Sequence, residues 1–257
     1  MKNEKSTEIK VVKLEEGSAD VCVVGTSPLL FNSMSAKALR DLLAPKPKKN
    51  KAEKESTLKH DPFEEFRSSI YQFDDPKSQT LLALPAPAFK SALSDVALDM
   101  PGDARKAQIA RLTWVEGYIV PVWGVPLICC AGVRLQDMAR TPDVRTRAVC
   151  LQWASRFTIR YATNMLKETT LANLLVGAGR LRGVGDFRPQ KGKGSFGQFK
   201  IVSPKDPEFV ALQKFGRKAQ EVAMREPEPW DGLAPTAELL RYFADEKQRR
   251  GFNDKAA

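Results

Sequence analysis

Apolar residues gather at the end of the segment Ile9 to Gly25, where ADVCVVG forms a run closed by glycine, the pattern of a buried strand. TSPLLFNS then reads as a turn, and Ser35 to Leu43 (SAKALRDLL) repeats its apolar positions at the spacing of a short helix. From Pro45 to His60 the pattern stops. PKPKKNKAEKESTLKH holds six lysines, no aromatic and almost no apolar residue, and reads as a mobile insertion. Order resumes at DPFEEFRSSIYQF, where Pro62 suits the first turn of a helix. A short strand is expected around Thr80 to Leu84, followed by a helix from about Ala86 to Leu98.

Between Arg111 and Cys150 the chain reads as strands, TWVEGYIVPVWG and VPLICCAGVRL, and DMARTPDVRTRA as a polar, basic connection. Ser155 to Thr163 alternates clearly: Phe157, Ile159 and Tyr161 share one face, Arg156, Thr158 and Arg160 the other. Glu168 to Val176 reads as a helix, FGQFKIVS (Phe196 to Ser203) as a strand, and the chain ends in helices from about Pro207 to Ala223 and Pro235 to Arg249. No internal repeat is present. In sequence the core elements run strand, helix, strand, strand, helix, strand. That is the split βαβ order of an α+β, ferredoxin-like or RNA-recognition-motif-type antiparallel sheet, with inserted segments and C-terminal helices.

Composition adds a partner class. The chain has 257 residues, 42% of them hydrophobic, and a formal net charge of +10, which favours nucleic acid or an anionic surface. The longest apolar stretch, Tyr118 to Val133, is broken by two prolines and two glycines and suits strands better than a membrane span. MKNEKSTEIK has no apolar core of a secretory signal, and the four cysteines lack CxxC spacing. These features lead us to expect a cytoplasmic protein with reduced thiols and neither membrane nor metal.

The strongest local signal is Gly177 to Gly197, GAGRLRGVGDFRPQKGKGSFG. Seven of the chain's sixteen glycines fall here, among Arg180, Arg182, Arg188, Lys191 and Lys193, with Asp186 the one carboxylate. Glycine lets backbone approach a ligand closely, and guanidinium and ammonium groups supply the counter-charge of phosphates. The alternative is a long crossover connection with a solvated surface.

Three segments carry a resemblance to a known family: TSPLLFNSMS after the first strand, LPAPAFKSALSDVA from Leu84 to Ala97, and the glycine-rich loop before the last strand. In this order they resemble the RAMP superfamily, especially the backbone subunits of CRISPR effector complexes, and related uncharacterised phage proteins. The resemblance spans roughly residues 18 to 203, with the loop its most specific part. It implies a non-catalytic subunit that grips a single strand by its phosphates, RNA favoured over DNA. It also implies assembly side by side, as a homo-oligomer or filament, with other effector subunits, in antiviral defence.

The division implied is a RAMP-like domain at 1–203, with a basic insertion at about 45–60 and a strand-rich one at about 104–150, then a helical extension at 204–257. Arg180, Arg182, Arg188, Lys191 and Lys193 would lie along the phosphates. Lys90 would stand near a helix N-terminus that favours anions, Lys37 and Arg40 would extend the track, and Phe187 would stack on a base. The plainer readings are a solvated helix face for Lys37 and Arg40 and a core anchor for Phe187.

The family's RNA-cleaving members commonly carry a histidine after the first strand. Pro28 to Ser35 has none, and the sole histidine, His60, reads as an exposed bystander in the insertion. No catalytic set and no cofactor are therefore expected. Acids such as Asp61, Glu64, Glu65, Asp74 and Asp75 are spaced like ordinary surface carboxylates. Two other classes stay open: a phosphodiester-cleaving enzyme using Asp186, for which a local salt bridge is the simpler role, and an assembly protein meeting an acidic partner. A phage single-strand DNA-binding or annealing protein is a variant of the main reading.

Overall fold

The structure, a computed structural model, describes residues 13–44, 58–134, 138, 140–191 and 194–251. Ten strands appear in chain order: β1 (Glu16–Gly25), β2 (Leu29–Leu30), β3 (Tyr71–Gln72), β4 (Leu82–Pro85), β5 (Thr113–Val115), β6 (Ile119–Trp123), β7 (Leu127–Arg134), β8 (Pro142–Cys150), β9 (Ala154–Ala162) and β10 (Phe199–Val202). A seven-stranded sheet has the order β10-β1-β9-β6-β4-β3, with β5 also on β9, and a three-stranded sheet has the order β2-β8-β7. Every pairing between these strands is antiparallel. The protein is thus a mixed α/β fold on a mostly antiparallel sheet.

β9 follows its alternation: Phe157, Ile159 and Tyr161 are buried, while Arg156 and Arg160 face outward. The buried face is covered by the helices Ala86–Asp95 and Glu168–Gly177. Phe89 packs on Phe157 at 4.3 Å and on Phe199 at 5.9 Å, and Leu171, Leu174 and Leu175 join the same core. Each such side chain contributes about 1.5–3 kcal/mol by leaving water. On the opposite face, Cys22, Val24, Trp123 and Ala154 are roofed by Phe209 and Leu212 of the helix Pro207–Leu212.

Local chemistry explains several helix starts. Ser35 caps the helix Ala36–Leu43 by accepting from the Ala38 N–H at 3.1 Å, and Asp61 caps Pro62–Ser68 by accepting from Phe63 and Glu64 at 3.0 Å.

Several expectations need correction. PDVRTRA is not a connection: it forms most of β8, whose eight-residue pairing with β7 and packing under the helix Pro62–Ser68 outweigh its polar composition. The single helix expected from Pro207 to Ala223 is two, Pro207–Leu212 and Arg217–Arg225. Between them the chain passes so close to Gln79 that a Cβ at Gly216 would stand 2.7 Å from its carbonyl oxygen. The final strand is only Phe199–Val202, because Gly197 and Gln198 instead bond to the turn after β1 and the Phe196 N–H donates to Phe187 O. The helix from Ala86 stops at Asp95 and tightens into a 3₁₀ turn, Val96–Leu98.

Candidate nucleic-acid interface

The glycine-rich segment begins as helix. Glu168–Gly177 runs on as a π-helical turn, Ala178–Arg182, that ends at Gly183. Beyond it the chain is stitched to the turn between β1 and β2 and to itself. Asp186 N–H donates to Leu30 O at 2.9 Å, Gly197 N–H to Pro28 O at 2.7 Å, Val184 N–H to Gly197 O at 2.9 Å, and Thr26 N–H to Gln198 O at 2.8 Å. Trp153, fully buried, fixes the other side of that turn by donating its indole N–H to Ser27 O at 2.9 Å. The glycines serve this stitching. Gly197 holds φ 68°, and a Cβ there would lie 1.7 Å from Val184 O; at Gly194 it would lie 1.6 Å from Phe187 O.

The arginines of the segment differ in their surroundings. Arg182 is 12% exposed and meets Asp99 at 2.7 Å, with its Nε buried and lacking a partner among the described residues. Arg188 donates to Gly185 O at 2.7 Å and to Gln190 Oε1 at 3.0 Å, bracing the loop from within. Gln190 in turn donates to Asp95, which also pairs with Lys106 at 2.7 Å. Asp186 pairs with Arg147 of β8, 39 positions away, so its salt bridge is a tertiary one rather than a local one. Arg180 is exposed and has no carboxylate partner among the described residues. Phe187 is 42% exposed and sits at φ 53°, rare for an aromatic residue, with its ring edge-on to Phe196 at 5.6 Å.

The remaining expected residues lie apart. Lys90 is half-buried on the helix Ala86–Asp95, which packs against the turn Ala178–Arg182. The N–H at that helix's start already donates to Tyr118 O at 2.9 Å. Arg40 is exposed on the helix Ala36–Leu43; Lys37 shares that helix and Lys191 ends the 3₁₀ turn Pro189–Lys191, but neither side chain is among those described. Lys193 and residues 45–57 of the basic insertion lie outside the described residues.

Two findings had little or no sequence signal. His60 is not an exposed bystander: it is 28% exposed, with Nδ1 2.5 Å from Glu65 and Nε2 3.0 Å from Asp143. Lys59 adds a pair to Asp143 at 2.6 Å, so the end of the insertion is fastened to β8. A partner 83 positions away is invisible in residue spacing. Burial pushes the Asp143 carboxyl up, but hydrogen bonds from Lys59, His60 and Val144 N–H outweigh it and hold the group below its ordinary value.

The second is the outer face of the sheet, where RNA-recognition-type sheets stack bases. Arg156 pairs with Asp20 at 2.9 Å, Arg160 with Glu16 at 2.9 Å, and Lys200 with Glu208 at 2.7 Å. Hydrogen bonds from Thr158 and then Arg156 hold the Asp20 carboxyl below its usual value. Among the described residues only Trp114, opposite Arg160 in register and 36% exposed, offers an aromatic there. Charge on this face is matched within the molecule.

No group of His, Cys, Asp and Glu suited to a metal ion occurs among the described residues, and none of the described helices is long and apolar enough to cross a membrane. Compared with known proteins, the chain matches no family model and no curated protein sequence.

Proposed function

We propose that the protein is a non-catalytic, single-stranded nucleic-acid-binding subunit of ferredoxin-like architecture, related to the RAMP superfamily. The order β10-β1-β9-β6, with the helices Ala86–Asp95 after β4 and Glu168–Gly177 after β9 on one face, supports that architecture. The observation that carries the function is the presentation of Phe187. A bulky ring held at positive φ and left 42% exposed, in a chain of net charge +10, suits base stacking beside phosphate contacts. Arg180 and Lys90, on elements packed together, are the first phosphate contacts in this reading, and Arg40 extends them. Arg182 and Arg188 act mainly by shaping the loop, because Arg182 ties it to Asp99 after the turn Val96–Leu98 and Arg188 donates within it. Lys37, Lys191 and Lys193 complete the track. The strand is RNA in preference to DNA, and copies align along it with β10 at one sheet edge.

Affinity in this mode comes from counterion release. Titration of labelled single strands should therefore show binding that falls by orders of magnitude from low to moderate salt. Arg180→Ala with Lys90→Ala should weaken all sequences about equally, and Phe187→Ala should cost about 1–3 kcal/mol. Absence of binding at low salt defeats the proposal. Magnesium-dependent cleavage abolished by Asp186→Asn would replace it with a nuclease.

A further inference from the structure

The basic insertion rejoins the fold at Lys59 and His60, where four ionisable side chains meet. His60 is the chain's sole histidine, and both of its ring nitrogens face carboxylates. Nδ1 stands 2.5 Å from Glu65 Oε1 on the helix Pro62–Ser68, and Nε2 stands 3.0 Å from Asp143 Oδ1 on β8. An ionised carboxylate can only accept, whereas a neutral imidazole carries one N–H and one lone pair. Only an imidazolium donates to both neighbours at once. A neutral ring has to turn its lone pair on one of the two oxygens, and that contact is lost.

The surroundings suit the charged ring. With an imidazolium, His60 and Lys59 set two cations against the carboxylates of Glu65 and Asp143; with a neutral ring the set is one positive charge short. Each carboxylate also keeps a donor that does not depend on the ring. Thr146 N–H donates to Glu65 Oε2 at 3.1 Å, and Val144 N–H and Lys59 donate to Asp143 Oδ1 at 3.0 and 2.6 Å. Losing a ring contact therefore releases His60 and leaves the carboxylates in place. Other charged groups border the site: Arg145 and Arg147 of β8 line the groove beside the ring, and Arg134 of β7 lines the space on its other side. Arg147 is engaged with Asp186, Asp61 caps its own helix, and Glu64 is exposed. Among the described residues, only Glu65 and Asp143 bond the ring. The side chains of His60 and Asp143 are 28% and 14% exposed, so solvent screens these contacts only in part.

We propose that His60 is a protonation-dependent fastener: as an imidazolium it bridges the helix Pro62–Ser68 to β8 and holds the end of the insertion there, and on losing its proton it lets one side go. The device is independent of what the glycine-rich segment binds. Its stabilisation is present while the ring is charged and the two carboxylates are ionised, and it is lost as rising pH removes the ring proton. Urea unfolding of the full chain at about pH 6 and about pH 8 reads this ring, because it is the sole histidine. Other groups titrating over that range are common to wild type and variant and cancel in their difference. His60→Gln should lower the urea midpoint at the lower pH, and its gap to wild type should shrink by about half or more at the higher pH. Glu65→Gln offers an amide N–H to the lone pair of a neutral ring, so the gap that His60→Gln makes in that background should no longer change with pH. No gap at the lower pH, an equal gap at both, or a pH dependence that persists in Glu65→Gln overturns the proposal.

Discussion

A guanidinium in water keeps its hydration, whereas one pressed against the fold must find acceptors there. Arg180 and Arg182 are two positions apart on one helical turn and lie on the two sides of that divide. Substituting Arg182 by alanine strands Asp99 and opens a packed position. Asp99 is 42% exposed, so solvent screens the loss, and we expect about 1–2 kcal/mol of destabilisation in urea melts. Arg180→Ala should stay within about 0.5 kcal/mol. Asp143 gives a pH prediction. Its folded pKa is depressed, so its stabilisation is present above the ordinary value of 3.8 and is lost as pH falls through the lower folded value. Thermal melts between about pH 5 and pH 2 should show less acid loss in Asp143→Asn than in the wild type. The thiols are a third case. All four cysteines are buried, and desolvation pushes Cys129 up to about 11, so thiol reagents at neutral pH should label the chain only after denaturation. Apolar neighbours of these cysteines were legible in the sequence; Asp99 as partner of Arg182 and Asp143 as partner of His60 were not, because each lies far along the chain.

The elements stand or fall on a few close approaches. Gly197→Ala forces a side chain into the left-handed region and against Val184 O, which should cost about 2–4 kcal/mol and loosen the loop, seen as a lower urea midpoint and faster exchange of the Val184 amide. Gln220 has the same importance for the C-terminal helices. Fully buried, it accepts from Leu81 and Leu82 N–H at 2.7 and 3.0 Å and donates to Val122, Gly124 and Phe215 carbonyls. Gln220→Leu leaves these backbone groups unmet and should cost about 3 kcal/mol or more by the same melts. A continuous apolar run located β1, whose Val21 to Val24 are buried on both faces, and periodicity located β9 and the helices that cover it, since one face of each is buried. It missed β8, where a polar strand is held by its neighbours, and it took a helical turn and a stitched crossover for an open loop. Glycines that seemed suited to a ligand's approach serve the chain's approach to itself.

At the scale of the molecule, the charge of +10 is distributed unevenly in its effect. The outer sheet face is neutralised by its own ion pairs, so in the proposed mode a strand is held not there but at the loop, where Arg180 has no carboxylate partner among the described residues. The prediction at this scale is that Trp114→Ala leaves strand affinity unchanged, while the Arg180 and Lys90 pair of substitutions lowers it; gel-shift titrations at fixed salt compare them directly.

Which faces are apolar, where helices are capped, and how much net positive charge must be accommodated follow from the residues alone, because these depend on neighbours a few positions away. Which cations remain available was decided by tertiary structure. Ion pairing joins residues such as Arg147 and Asp186, or His60 and Asp143, that only folding brings together, and a charge so paired no longer faces a ligand.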